Sequence, residues 1–147
     1  KLLPREGAMP KIATKRESGF WKQMKSELKK SPRKLTATRL ETWATPGVPD
    51  VLLCDESGGF HFIELKATKG NAVELRPHQV AWLSQHRHAS VWVLTLKMIT
   101  KNNPACLFLH HGRDAMDLKM QGLKVDAVLK TEEPFDWESV FQLIVPR

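Results

Sequence analysis

The spacing between Gly47-Val48-Pro49-Asp50 and Glu64-Leu65-Lys66 constrains this chain more than any other feature. Between the two, Val51-Leu52-Leu53-Cys54 is a short apolar run and Asp55-Glu56-Ser57-Gly58-Gly59 is turn chemistry. Phe60-His61-Phe62-Ile63 then opens a second strand-like run that ends in the Glu-Leu-Lys triplet. Two such runs on either side of a short polar, glycine-bearing segment predict a β-hairpin. A turn centred near Ser57-Gly58 sets Cys54 opposite His61 and Val51 opposite Glu64, so that Asp50 falls beside residues 64 to 66. Alternation along the strand sends Glu64 and Lys66 to one face and Leu65 to the other. Carboxylates held close together repel, and a hard divalent cation with oxygen ligands is the usual compensation. Lys66 adds a compact positive charge at the same place.

The remaining segments supply a layer on each side of such a hairpin. Ser18 can cap a helix over residues 19–30, with Phe20, Trp21, Met24 and Leu28 on one stripe; Ser31-Pro32 ends it. Residues 34–43 alternate and read as a first strand. Pro77 suits the first turn of a helix reaching about residue 86, which packs Val80, Leu83 and Trp82 on the sheet. Residues 90–96 and 105–109 are β-rich and apolar. Two further short helices are expected over 113–120 and 136–144, the second capped by Asp136. The order helix, three strands, helix, strand predicts an α/β layer fold.

At 147 residues the chain is long enough for one domain that buries about 70% of its unfolded surface. No apolar run is long enough to span a bilayer and no hydrophobic leader opens the chain, so neither membrane insertion nor secretion is expected. Cys54 and Cys106 fall in apolar strand-like runs and read as reduced, buried thiols, which suits the cytoplasm of a bacterial cell or a phage-infected host. Paired cysteines and helical His-X3-His spacing are both missing, which leaves zinc unsupported. His86, His88, His110 and His111 therefore read as surface side chains. The five tryptophans read as core, with Trp43, in the loop before Gly47, the one nearest the hairpin motif.

The net charge of +7 is unevenly spread. Residues 1–40 hold twelve Lys and Arg against three Glu, whereas residues 41–147 hold eleven against thirteen acids. Residues 1–16 read as a flexible basic arm, with those before Met9 a candidate expression remnant, and residues 17–147 as a single domain. Lys22, Lys25, Lys29, Lys30, Arg33 and Lys34 continue the basic character into the first helix. A polyanionic backbone rewards this arrangement through counterion release, without any reading of base sequence.

Pro49-Asp50 followed by Glu64-X-Lys66 resembles the signature of the PD-(D/E)xK nuclease superfamily. The wider pattern is similar to its VRR-NUC branch: Gly47 before Pro49-Asp50, the strand-borne Glu64-Leu65-Lys66, Gln79 in Leu75-Arg76-Pro77-His78-Gln79-Val80, and Glu17 in Glu17-Ser18-Gly19-Phe20-Trp21. Together these span residues 17–96. The resemblance implies a restriction-endonuclease-like αβββαβ core, a mixed central sheet flanked by helices. It further implies that Asp50 and Glu64 ligate Mg²⁺ or Mn²⁺ with the backbone carbonyl of Leu65, and that Lys66 positions the attacking water or stabilises charge on the phosphate. Glu17 completes the acidic cluster directly or through a water, with Glu27 on the same helix the alternative; Gln79 is carried over by resemblance alone. The implied activity is a structure-selective DNA endonuclease, similar to Holliday junction resolvases and acting as a homodimer. A nicking or restriction-like enzyme on duplex DNA and a non-catalytic DNA-binding module are the alternatives.

Overall fold

The computed structural model describes residues 15–40 and 45–146. The elements run α1 (Lys15–Lys30), β1 (Thr36–Arg39), β2 (Val51–Cys54), β3 (Phe60–Thr68), α2 (Pro77–Gln85), β4 (Val91–Lys97), β5 (Cys106–His111), α3 (Ala115–Gln121), β6 (Leu129–Glu132) and α4 (Trp137–Ile144). The strands form one six-stranded sheet in chain order. Every neighbouring pair is antiparallel except β3 and β4. That parallel pair is joined through α2, as a parallel pair must be joined by a crossover. The chain is therefore α/β, with a mixed sheet flanked by helices.

Alternation along the strands builds a core on each face. Phe20, Met24 and Leu28 of α1 and Trp137, Phe141 and Ile144 of α4 meet Val51, Leu53, Ile63, Leu65 and Leu94 on one face. Val80 and Leu83 of α2 and Ala115 and Leu118 of α3 meet Val91, Val93 and Phe108 on the other. Residues Val91 to Thr95 are buried without interruption, the mark of a central strand covered on both sides. No described helix is long and apolar enough to cross a membrane.

The hairpin forms, with a register one residue away from the expected one. Val51 pairs with Ile63, Leu53 with His61 and Cys54 with Phe60, so Val51 is not opposite Glu64, nor Cys54 opposite His61. Asp55 N–H donates to Gly59 O at 2.9 Å, and Gly58 takes φ +86° within the three-residue loop 56–58. The physical reason is facing: in this register Val51 and Leu53 share a face with Ile63 and Leu65, whereas the slipped one would set Val51 beside a carboxylate.

Other boundaries shift as well. α1 begins by Lys15, so Ser18 lies inside it and does not cap it. Lys15, Arg16 and Glu17 are good helix formers, and extending the helix places Glu17 on the buried stripe with Phe20, Met24 and Leu28. β1 occupies only part of the expected 34–43; residues 41–44, Trp43 among them, and 1–14 of the expected arm lie outside the described residues. β6 was not expected, because Leu-Lys-Thr-Glu carries a single apolar residue; an edge strand needs no more, and its exposure alternates. α4 starts where Asp136 predicts it, with Asp136 Oδ1 accepting from Ser139 N–H at 3.1 Å.

Candidate functional site

Asp50 lies immediately before β2, and its backbone carbonyl accepts from Leu40 N–H at 2.7 Å, which ties it to the end of β1. Its carboxylate turns to β3, where Oδ2 accepts the Leu65 N–H at 2.9 Å. One residue beyond the Val51–Ile63 pair, the same register sets Asp50 opposite Glu64. The corrected hairpin thus brings the two acids closer than the expected one did. Glu64 and Lys66 project on the α2 side of the sheet, while Leu65 between them belongs to the core under α1.

Gln79 joins these side chains into one unit. Its Nε2 donates to Glu64 Oε2 at 3.3 Å, and its Oε1 accepts from Lys66 Nζ at 3.1 Å. The same oxygen accepts the backbone N–H of Arg76 at 2.9 Å, satisfying one of the donors that the start of α2 leaves without a helical partner. Lys66 Nζ stands 3.5 Å from Glu64 Oε2. All four residues are buried: Glu64 is 1% exposed, Gln79 3%, Asp50 6% and Lys66 8%.

Gly47 fixes the distance between the Asp50 loop and α2. Its φ of +93° lies in the region that side chains disfavour, and a β-carbon there would collide with the backbone carbonyl of His78. The loop therefore lies directly against the first turn of α2, the turn that carries Gln79.

Glu17 approaches from α1. The C-terminal end of α1 is tied to the hairpin turn, where Arg33 Nη2 donates to Glu56 Oε1 and Lys34 N–H to Glu56 Oε2. The helix, about 24 Å long, packs its buried stripe on β3 and buries Glu17 in its first turn. Glu27 is half-buried and pairs with Lys30 at 3.4 Å. Among the described residues no group of three Asp, Glu, His or Cys side chains stands ready to hold a metal ion.

The basic residues divide. Lys22, Lys25, Lys29, Lys30 and Lys34 are exposed. Arg33 is not at that surface: it is buried, and its guanidinium donates to Phe141 O and Val145 O at the end of α4 as well as to Glu56. The last carbonyls of α4 need donors, and a buried guanidinium with five N–H groups meets that need. His110 likewise departs from the expected surface position. It is fully buried, its Nε2 donating to Val125 O at 3.0 Å, while the ring of His111 packs tilted against Trp92 and burial pushes its pKa down.

One polar constellation was not anticipated. His61 Nε2 is 2.7 Å from Asp55 Oδ2, His61 Nδ1 is 2.6 Å from Ser90 Oγ, and Trp92 Nε1–H donates to the same hydroxyl oxygen at 2.9 Å. The hydrogen bond from His61, followed by those from Ser57 and Gly59, holds the Asp55 carboxyl well below the usual carboxylate range. With the tautomer these partners imply, Nε2–H donates to Asp55 and Nδ1 accepts from Ser90. The indole occupies the serine oxygen, and the chain closes as a tie between the hairpin turn and the start of β4. The five-residue gap between Asp55 and His61 is the only sequence signal for it; Ser90 is contributed by another segment.

Compared with protein-family models the chain matches none, and compared with curated proteins it gives no significant match.

Proposed function

We propose that this chain is a divalent-metal-dependent DNA endonuclease built on a restriction-endonuclease-like core of the PD-(D/E)xK, VRR-NUC type. The observation that carries the reading is the buried set Asp50, Glu64 and Lys66 on one hairpin, with Gln79 bonded to the last two. Two carboxylates and an ammonium withdrawn from water cost more than a well-packed apolar replacement would. A buried, mutually bonded set of ionisable side chains kept at that cost is a candidate site of chemistry.

The donor set fits a hard cation. Asp50, Glu64 and the Leu65 carbonyl offer only oxygen, and one or two carboxylates are what Mg²⁺ or Mn²⁺ needs when waters complete the shell. Glu17, buried at the start of α1, completes the acidic cluster directly or through a water. When bound, the cation supplies an acidified water and neutralises charge on the phosphate. Lys66, held by Gln79, keeps a positive charge over the same spot and orients the water for in-line attack. Gln79, bonded to both, fixes the positions of Glu64 and Lys66 relative to α2. The Leu65 N–H fixes the rotamer of Asp50. The exposed lysines of α1 hold the DNA backbone, and a second copy of the chain supplies the second cut that a four-way junction requires.

Incubation of the purified protein with a four-way junction and with plain duplex, in Mg²⁺ or Mn²⁺, tests the reading. Cutting by the wild type and a loss of about a thousandfold or more in Asp50→Ala are expected. Cutting by neither protein, or equal cutting by both, refutes it. A non-catalytic DNA-binding module would instead bind without regard to divalent metal and to neutralisation of Glu64.

A further inference from the structure

The acidic cluster continues along α2 into a column of aromatic rings that the proposed chemistry does not use. Gln79 of α2 is bonded to Glu64, and three residues further on Trp82 packs on Phe62, which precedes Glu64 by two residues on β3. The ring centroids of Phe62 and Trp82 are 5.3 Å apart; those of Trp82 and His86 are 3.9 Å apart with their planes at 25°, a stacked pair. Exposure rises along the column, for Phe62 and Trp82 are half-buried and His86 is exposed. His86 is nevertheless fixed, because its Nδ1–H donates to the Trp82 carbonyl oxygen at 2.7 Å. Packing of α2 on the sheet explains Phe62 and Trp82, which join the core on that face. It does not explain an exposed ring held flat over the indole.

The surroundings suit a polyanion. Residues 75–113 hold five Lys and Arg and no Asp or Glu. α2 carries no charged residue at all, whereas a surface helix ordinarily presents charges on its outer face. Just past its end Arg87 and His88 are exposed in the same turn as His86. Aromatic rings beside exposed basic groups are the combination that holds single strands: the cation takes the backbone and the ring takes a base of any identity. A base inside a duplex has both faces covered, so only an unpaired base can extend the column. We propose that His86, backed by Trp82, is a stacking platform for an unpaired nucleobase of the DNA strand whose phosphate lies at the Asp50 and Glu64 cluster. From Gln79 to His86 the helix rises about 10 Å, which places that base about three steps along the strand from the phosphate. The substrate class is then DNA with unpaired bases next to the cut, such as a fork or an opened branch point, in preference to plain duplex. The position of the phosphate rests on the nuclease reading above.

Fluorescence anisotropy without divalent cation tests the platform, using a labelled fork with unpaired arms and a blunt duplex of the same length. The wild type is expected to bind the fork more tightly. His86→Ala, at an exposed position, is expected to lose about tenfold on the fork and less than about twofold on the duplex. His86→Phe keeps a ring and is expected to restore most of that loss, whereas His86→Lys keeps a polar, basic group without a ring and is not. Trp82→Leu, which preserves an apolar contact with Phe62, should weaken fork binding to a similar extent. Removing one base at a time from the unpaired arm should reveal a position that costs the wild type about tenfold and His86→Ala nothing. A wild type that binds the fork no more tightly than the duplex, an equal loss on both DNAs in His86→Ala, or recovery by His86→Lys as full as by His86→Phe overturns the proposal. Neither metal nor cleavage enters the measurement, so its failure is distinguishable from failure of the Asp50→Ala comparison that tests the nuclease reading.

Discussion

Gln79 makes three hydrogen bonds from one amide, and each answers a different need: a helix N-terminus, a buried ammonium and a buried carboxylate. In the sequence it is one polar residue in the first turn of a helix, where glutamine is unremarkable. Its importance comes from what β3 presents to it. Asp55 is the opposite case, since its partners Ser57 and Gly59 are local and only His61 reaches across the turn. Its folded pKa is depressed below the ordinary 3.8. Between the folded and unfolded values the unfolded chain binds more protons, so the stability contributed by Asp55 is present above about pH 4 and is lost as pH falls through the folded value. Melting temperature followed downward from about pH 5 should fall for the wild type, and Asp55→Asn should flatten that dependence. Equal slopes for the two proteins would show that the carboxylate is not the titrating group.

The β2–β3 hairpin and α2 are held at a fixed separation by the absence of a side chain at Gly47. Gly47→Ala forces φ +93° on an alanine and drives its methyl into the His78 carbonyl. The expected cost is about 1–3 kcal/mol in denaturant unfolding. A drop in DNA cleavage larger than the loss of folded protein explains is also expected, because the turn of α2 that recedes carries Gln79. Unchanged stability and cleavage would mean that the loop accommodates the methyl without moving α2. Register has the same character as this spacing: it is decided between elements. The expected pairing was wrong by one residue, and the apolar faces of Val51, Leu53, Ile63 and Leu65 settle the matter in favour of the observed one.

Across the whole molecule the basic charge serves two ends. Lys22, Lys25 and Lys29 lie on the solvent side of α1, whereas Arg33 locks the end of α4 to the hairpin turn. Replacing the three lysines by glutamine should lower the slope of log affinity against log salt for DNA by roughly one for each phosphate no longer neutralised, with little change in melting temperature. Arg33→Ala should do the reverse, because it leaves carbonyls of α4 and Glu56 without their buried partner. A salt slope that drops in Arg33→Ala but not in the lysine variant would contradict this division.

Local chemistry was legible in the sequence: a hairpin around Asp55–Gly59, helices opened by Pro77 and by Asp136, strands in the apolar runs, and Asp50, Glu64 and Lys66 brought to one end of the hairpin. Each of these depends on a residue's own conformational preference or on alternation along a few neighbours. What only the tertiary structure decided involves pairs far apart in the chain. The hairpin register followed from which residues α1 and α4 cover. The burial of Arg33 and His110 followed from distant carbonyls that needed donors, and the place of Gln79 beside Lys66 from the packing of α2 on the sheet. A residue type states what it can bond; the partner that makes the bond is set by the fold.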